Sequence, residues 1–76
     1  MERILAILKE IHPETDFEKS EDFIQDELLD SFDVIELVAG LEETFGITID
    51  GLDILPENFN TLETIKKIII RSGGTV

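Results

Sequence analysis

Apolar residues recur at helical spacing in three stretches of this chain. In residues 2–11, Ile4, Ile7, Leu8 and Ile11 fall on one face with Leu5 beside it, as in an amphipathic helix. His12-Pro13 ends that helix, because the residue before a proline is pushed out of the right-handed helical region. Residues 31–45 carry a second helix, stopped by Gly46 at the position where a left-handed residue closes a helix. Residues 61–71 carry a third, with Thr61 as N-cap and Leu62, Ile65, Ile68 and Ile69 as its buried stripe. Lys66, Lys67 and Arg71 lie toward its C-terminal end, where the helix dipole favours cations. The β-branched run Ile47–Ile49 is too short to build a sheet.

The connections are less regular. Residues 12–30 form a long loop with Phe17, Phe23, Ile24, Leu28 and Leu29 as apolar anchors, so it should pack onto the helices. Ser20 is placed to cap a short helical turn over "SEDFI". Residues 47–60 are irregular, and Pro56 is placed to open a one-turn helix through Phe59. The expected fold is all-α, a small four-helix bundle of three longer helices and one short helix with a long first loop. The 76 residues suit one domain spanning 1–76, with 71–76 as a flexible tail.

The second helix has more apolar surface than a core helix needs. Val34, Leu37, Val38, Leu41 and Phe45 form one stripe at about 100° per residue. The opposite side holds Phe32, Ala39 and, on its flank, Ile35, among Asp33, Glu36 and Glu43; Gly40 is placed there too. A mid-helix glycine costs about 1 kcal/mol relative to alanine. An apolar strip ringed by carboxylates suits a partner with a basic-rimmed groove. The alternative is that Phe32 and Ile35 fold down onto the long loop as core.

Charge sharpens this picture. The net charge is −12. Residues 14–57 hold fifteen acids and one base, Lys19, while the flanking segments hold three acids and five bases. A strongly acidic middle excludes nucleic acid as a natural partner and favours a basic protein surface. No apolar run approaches the roughly 20 residues needed to cross a bilayer, so stable membrane insertion is not expected. The charged first helix does not read as a signal peptide. The expectation is a soluble, cytoplasmic monomer.

Catalytic chemistry finds little footing. There is no cysteine, hence no thiolate nucleophile or thiolate metal site. The single histidine, His12, stands at a helix end without an identifiable nucleophile, and reads as a solvated or capping residue. An EF-hand frame beginning at Asp16 fails, because Glu21 occupies the position that requires glycine and His12-Pro13 breaks the entering helix. No metal site is assigned, and divalent binding to the acidic surface is expected only as an incidental effect.

Ser31 heads the second helix in "LLDSFD". Either Ser31 or Asp30 can cap that helix. A helix N-terminus also welcomes an anion, so a phosphodiester on Ser31 is electrostatically acceptable there.

At these residues the sequence resembles the acyl carrier protein family of phosphopantetheine-binding domains. The family's Asp-Ser-Leu stands here as Asp30-Ser31-Phe32, followed by "DVIELVAGLEETFGITI"; "LPENFNTLETI" is similar to the family's third-to-fourth-helix stretch. The resemblance implies a non-catalytic carrier. Ser31 would bear 4′-phosphopantetheine, taken from coenzyme A by a phosphopantetheinyl transferase, with Asp30 beside it. Cargo would be held as a thioester and exchanged with loading and transferring enzymes that have basic docking surfaces. Asp30, Asp33, Glu36, Glu42 and Glu43 match the family's acidic recognition positions; Phe32, Ile35 and Ala39 match the apolar ones. Two positions depart from the pattern. Phe32 replaces the usual leucine, and Leu28 stands where a glycine is usual. "LLDSF" also resembles the D-alanyl carrier proteins of teichoic acid modification. The implied function is acyl carriage in fatty acid or specialised lipid or polyketide synthesis. The alternatives are D-alanyl or aminoacyl carriage in cell-wall or nonribosomal peptide pathways, or a plain acidic interaction module.

Overall fold

The architecture follows from where the apolar stripes can be buried. A computed structural model describes residues 2–75. Helices α1 (Glu2–Ile11), α2 (Ser31–Phe45) and α3 (Leu62–Arg71) are joined by segments that contain 3-10 turns at Phe17–Lys19, Gly51–Asp53 and Pro56–Asn58. Their stripes meet in one core in which Ile4, Leu8, Leu37, Leu41, Ile65 and Ile69 are fully buried. The short helix expected through Phe59 is only the 3-10 turn at Pro56. Leu55 supplies no side-chain cap there, and Phe59 leaves the turn to enter the core.

The long first loop packs as expected. Phe17 and Phe23 stack edge-to-face with ring centres 5.3 Å apart, and both are buried with Leu29. The Phe23 N–H donates to the Asn60 carbonyl at 2.7 Å, tying this loop to the entry of α3. Ser20 does not cap the turn that follows. Asp22 does, accepting the N–H groups of Ile24 and Gln25 at 3.0 and 2.8 Å. Ser20 Oγ accepts the Asp22 N–H and donates to Asp26 instead. The bond from the Gln25 N–H, aided by Asn60 and the Ile24 N–H and opposed by burial, holds the Asp22 carboxyl below its ordinary value.

Three contacts show α1 running antiparallel to α2: His12 to Asp33, Ile7 to Gly40 and the Arg3 guanidinium over the Phe45 ring. They also correct the placement of Gly40. It faces α1, not the docking strip. A Cβ there would lie 2.8 Å from Ile7 Cγ2, so the glycine permits close approach of the two helices.

α2 ends at Gly46, in the left-handed region at φ 64°. Thr61 caps α3 and forms a reciprocal pair with Thr64. The expected loose tail is tied down through Gly74. Gly73, at φ 93°, donates to the Ile70 carbonyl and Gly74 to the Ile69 carbonyl, the two bonds that satisfy a helix end when a left-handed glycine follows it. Val76, the last residue of that expected tail, lies outside the described residues.

Candidate functional site

The head of α2 carries Asp30 and Ser31, which the sequence marks for cofactor attachment, while the residues marked for partner contact run along the helix from Phe32 to Glu43. Asp30 is the N-cap, and its Oδ1 accepts the Asp33 N–H at 2.8 Å. Asp33 Oδ2 accepts the Asp30 N–H in return at 3.1 Å. This reciprocal box decides between the two candidate caps. Ser31 is the first helical residue, exposed, and its hydroxyl is not needed for capping. The first backbone bond into the helix is Val34 N–H to the Asp30 carbonyl. The N–H groups of Ser31 and Phe32 therefore lack intrahelical acceptors, as first-turn amides do.

Beside Ser31 opens a groove of about 220 Å³ lined by Ser31, Val34, Ile35, Ile54 and Pro56. One wall is α2. The other belongs to the segment after the Gly51–Asp53 turn, which is held in place from two directions. Asn58 Nδ2 donates to the Asp53 carbonyl at 2.9 Å, and Arg71 on α3 pairs with the Asp53 carboxylate at 3.1 Å. The sequence did not mark Ile54 and Pro56 as site residues. Pro56 was legible as a turn former only, and an isoleucine in an irregular segment gives no sign of which surface it will line.

The residues expected to meet partners divide into two groups. Phe32 and Ile35 are 65% and 63% exposed, so they are not folded down onto the loop. Ala39, Glu36, Glu43 and Asp30 are exposed as well. Asp33 and Glu42, which match acidic recognition positions of the family, each have an intramolecular partner. The Asp33 side chain is only 14% exposed and pairs with His12 at 2.8 Å. Burial raises its carboxyl pKa, but the His12 hydrogen bond and charge and the bonds to Asp30 outweigh this and leave it below its ordinary value. Glu42 Oε2 accepts the Ile49 N–H at 2.9 Å and so holds the loop leaving α2. His12, read as a solvated or capping residue, instead partners a residue 21 positions away. No local pattern announces such a contact.

These residues fit a serine-linked phosphopantetheine. An accessible hydroxyl stands clear of its helix cap. Two uncommitted amides at a helix N-terminus offset the charge of a phosphodiester. Leaving Ser31, the path meets a largely apolar groove. Among the described residues no group of three or more potential metal ligands clusters, and no helix is long and apolar enough to cross a membrane.

Comparison with known proteins agrees with the fit. Residues 2–69 match the model of the family described as "Phosphopantetheine attachment site". Over 42 residues the chain is 38% identical to "Aminoacyl carrier protein 1" of Bradyrhizobium diazoefficiens, a match covering 55% of this chain and 47% of that protein. The chain thus aligns with about half the length of this curated relative. No solved structure matches significantly.

Proposed function

The chain belongs to the phosphopantetheine attachment site family, a family of non-catalytic carriers with 4′-phosphopantetheine as prosthetic group, and on that premise we propose that Ser31 is the attachment residue. The observation that carries the proposal is the division of roles at the head of α2. Asp30 caps the helix, and Ser31 is left exposed beside an apolar groove. When bound, the arm supplies a terminal thiol, which this cysteine-free chain lacks and which holds a carboxylic acid as a thioester. The chain's own residues present and orient. Asp30 fixes the first turn, and Phe32, Ile35 and Ala39 offer apolar contact. Asp30, Glu36 and Glu43 steer basic partner surfaces, those of the phosphopantetheinyl transferase and of the enzymes that load and unload cargo.

For the cargo, the Val34, Ile35 and Ile54 lining of the groove supports an aliphatic acyl group, as in fatty acid or specialised lipid synthesis. A second reading, an aminoacyl group, is supported by the similarity to the aminoacyl carrier protein. One mass measurement addresses both levels. Incubation with coenzyme A and a broad-specificity transferase is expected to add one phosphopantetheinyl mass to the chain and none to Ser31→Ala. An unmodified wild type, under conditions that modify a control carrier, would sink the proposal. For protein isolated from its own cells, the mass released by hydroxylamine identifies the acid. Hydroxylamine releases any thioester as its hydroxamic acid, so an acid that carries an amine of its own, beyond the nitrogen of the reagent, overturns the acyl reading in favour of the aminoacyl one.

A further inference from the structure

The reciprocal cap at the head of α2 has a third member. His12 follows the last residue of α1, and its Nε2 lies 2.8 Å from Asp33 Oδ2, the same oxygen that accepts the Asp30 N–H. Asp33 is held below its ordinary carboxyl value. It is therefore ionised at neutral pH and can only accept, so the proton in this bond belongs to His12 Nε2. The histidine is itself fixed. Its N–H donates to the Leu8 carbonyl at 3.0 Å and its carbonyl accepts the Thr15 N–H at 3.2 Å, while Pro13 restricts its backbone. Without this ring, Asp30 and Asp33 would face each other across one helical turn as two like charges, with backbone amides alone holding them.

We infer that His12 is a positioning residue for the attachment serine. By holding the Asp33 carboxylate against the end of α1, it fixes the first turn of α2 and hence the direction in which Ser31 Oγ meets a transferase. The inference rests on Ser31 being the modified residue.

The test measures phosphopantetheinyl transfer to the full chain, with kcat and KM determined separately at a temperature where every variant is folded by circular dichroism. His12→Ala is expected to lower kcat about fivefold while KM stays near the wild-type value, because the docking face is intact and only the serine is misaligned. His12→Gln, whose amide nitrogen can donate to Asp33, is expected to recover most of the loss. His12→Ala should add nothing further to Asp33→Ala, because the histidine acts only through that carboxylate. Amide hydrogen exchange in the unmodified chain gives an independent readout: the Asp30 and Asp33 N–H groups should exchange several-fold faster in His12→Ala and not in His12→Gln. A wild-type kcat in His12→Ala, a loss confined to KM, or no rescue by glutamine overturns the positioning role and leaves the carrier reading standing. A wild-type chain that gains no mass overturns both.

Discussion

Neighbouring residues with the same intrinsic preference can carry opposite duties. Asp30 and Ser31 are both good N-caps, so composition leaves their roles open, and the reciprocal bond with Asp33 assigns the cap to Asp30. Glu27 is a case the sequence could not reveal. It is the one described non-glycine residue with positive φ, at 61°, while the position where a glycine was expected belongs to Leu28. A left-handed side-chain residue costs about 1–2 kcal/mol, part of which glycine returns through greater freedom in the unfolded chain. Glu27→Gly should therefore raise stability by about 0.5–1 kcal/mol relative to Glu27→Gln, which controls for the lost charge; equal urea midpoints for the two would contradict this. Asp33 gives a pH signature. Its carboxyl is depressed in the folded chain, so its contribution is complete above the unfolded value and is lost as pH falls through the lower folded value. Between about pH 6 and about pH 3, wild type should lose more stability than Asp33→Asn. Parallel urea curves at both pH values would show that the pair contributes nothing.

The three α-helices were legible because a 3.6-residue repeat fixes both their existence and their buried face, and their ends carry strong signals in Pro13, Gly46 and Thr61. Two of the 3-10 turns were less legible, since each rests on one short side chain, whereas Pro56 marked the third. Asp16 accepts the Glu18 N–H and Asp50 accepts the Leu52 N–H, and an aspartate in an acidic loop does not announce which one will turn the backbone. Periodicity also divides a helix into faces without saying which neighbour covers each flank. α1 covers the side of α2 that holds Asp33 and Gly40, and this removed Gly40 from the docking strip. That packing can be checked directly. Gly40→Ala gains about 1 kcal/mol of helix propensity but places Cβ against Ile7 Cγ2, and overpacking costs about 1–3 kcal/mol. It should destabilise the wild type. Leucine lacks the β-branch that supplies Cγ2, so in an Ile7→Leu background the same change should be neutral or stabilising. Equal effects in both backgrounds would place the cost elsewhere.

At the scale of the molecule, charge dominates what the core must overcome. The acidic middle of the chain has few partners. Among the described residues its ion pairs are His12–Asp33, Arg71–Asp53 and a long Lys19–Asp16 contact of 3.9 Å. Screening should therefore relieve self-repulsion, and the melting temperature should rise as ionic strength goes from about 0.01 M to about 0.15 M; a flat profile would refute the repulsion account. The acidic bias and the outward apolar face of α2 at Phe32 and Ile35 were readable in one dimension, whereas the groove wall at Ile54 was not, because it depends on where Arg71 anchors a distant loop. The separation of cap from hydroxyl at the head of α2 also bears on how a cell would experience damage. A lesion confined to Ser31 leaves the helix capped, so quality control that senses unfolding has nothing to detect. With Ser31 as the proposed attachment residue and Phe32, Ile35 and Glu36 as the proposed docking residues, such a chain should persist in native form and occupy partners without delivering anything. Overexpressed alongside the wild type, it should act as a dominant decoy.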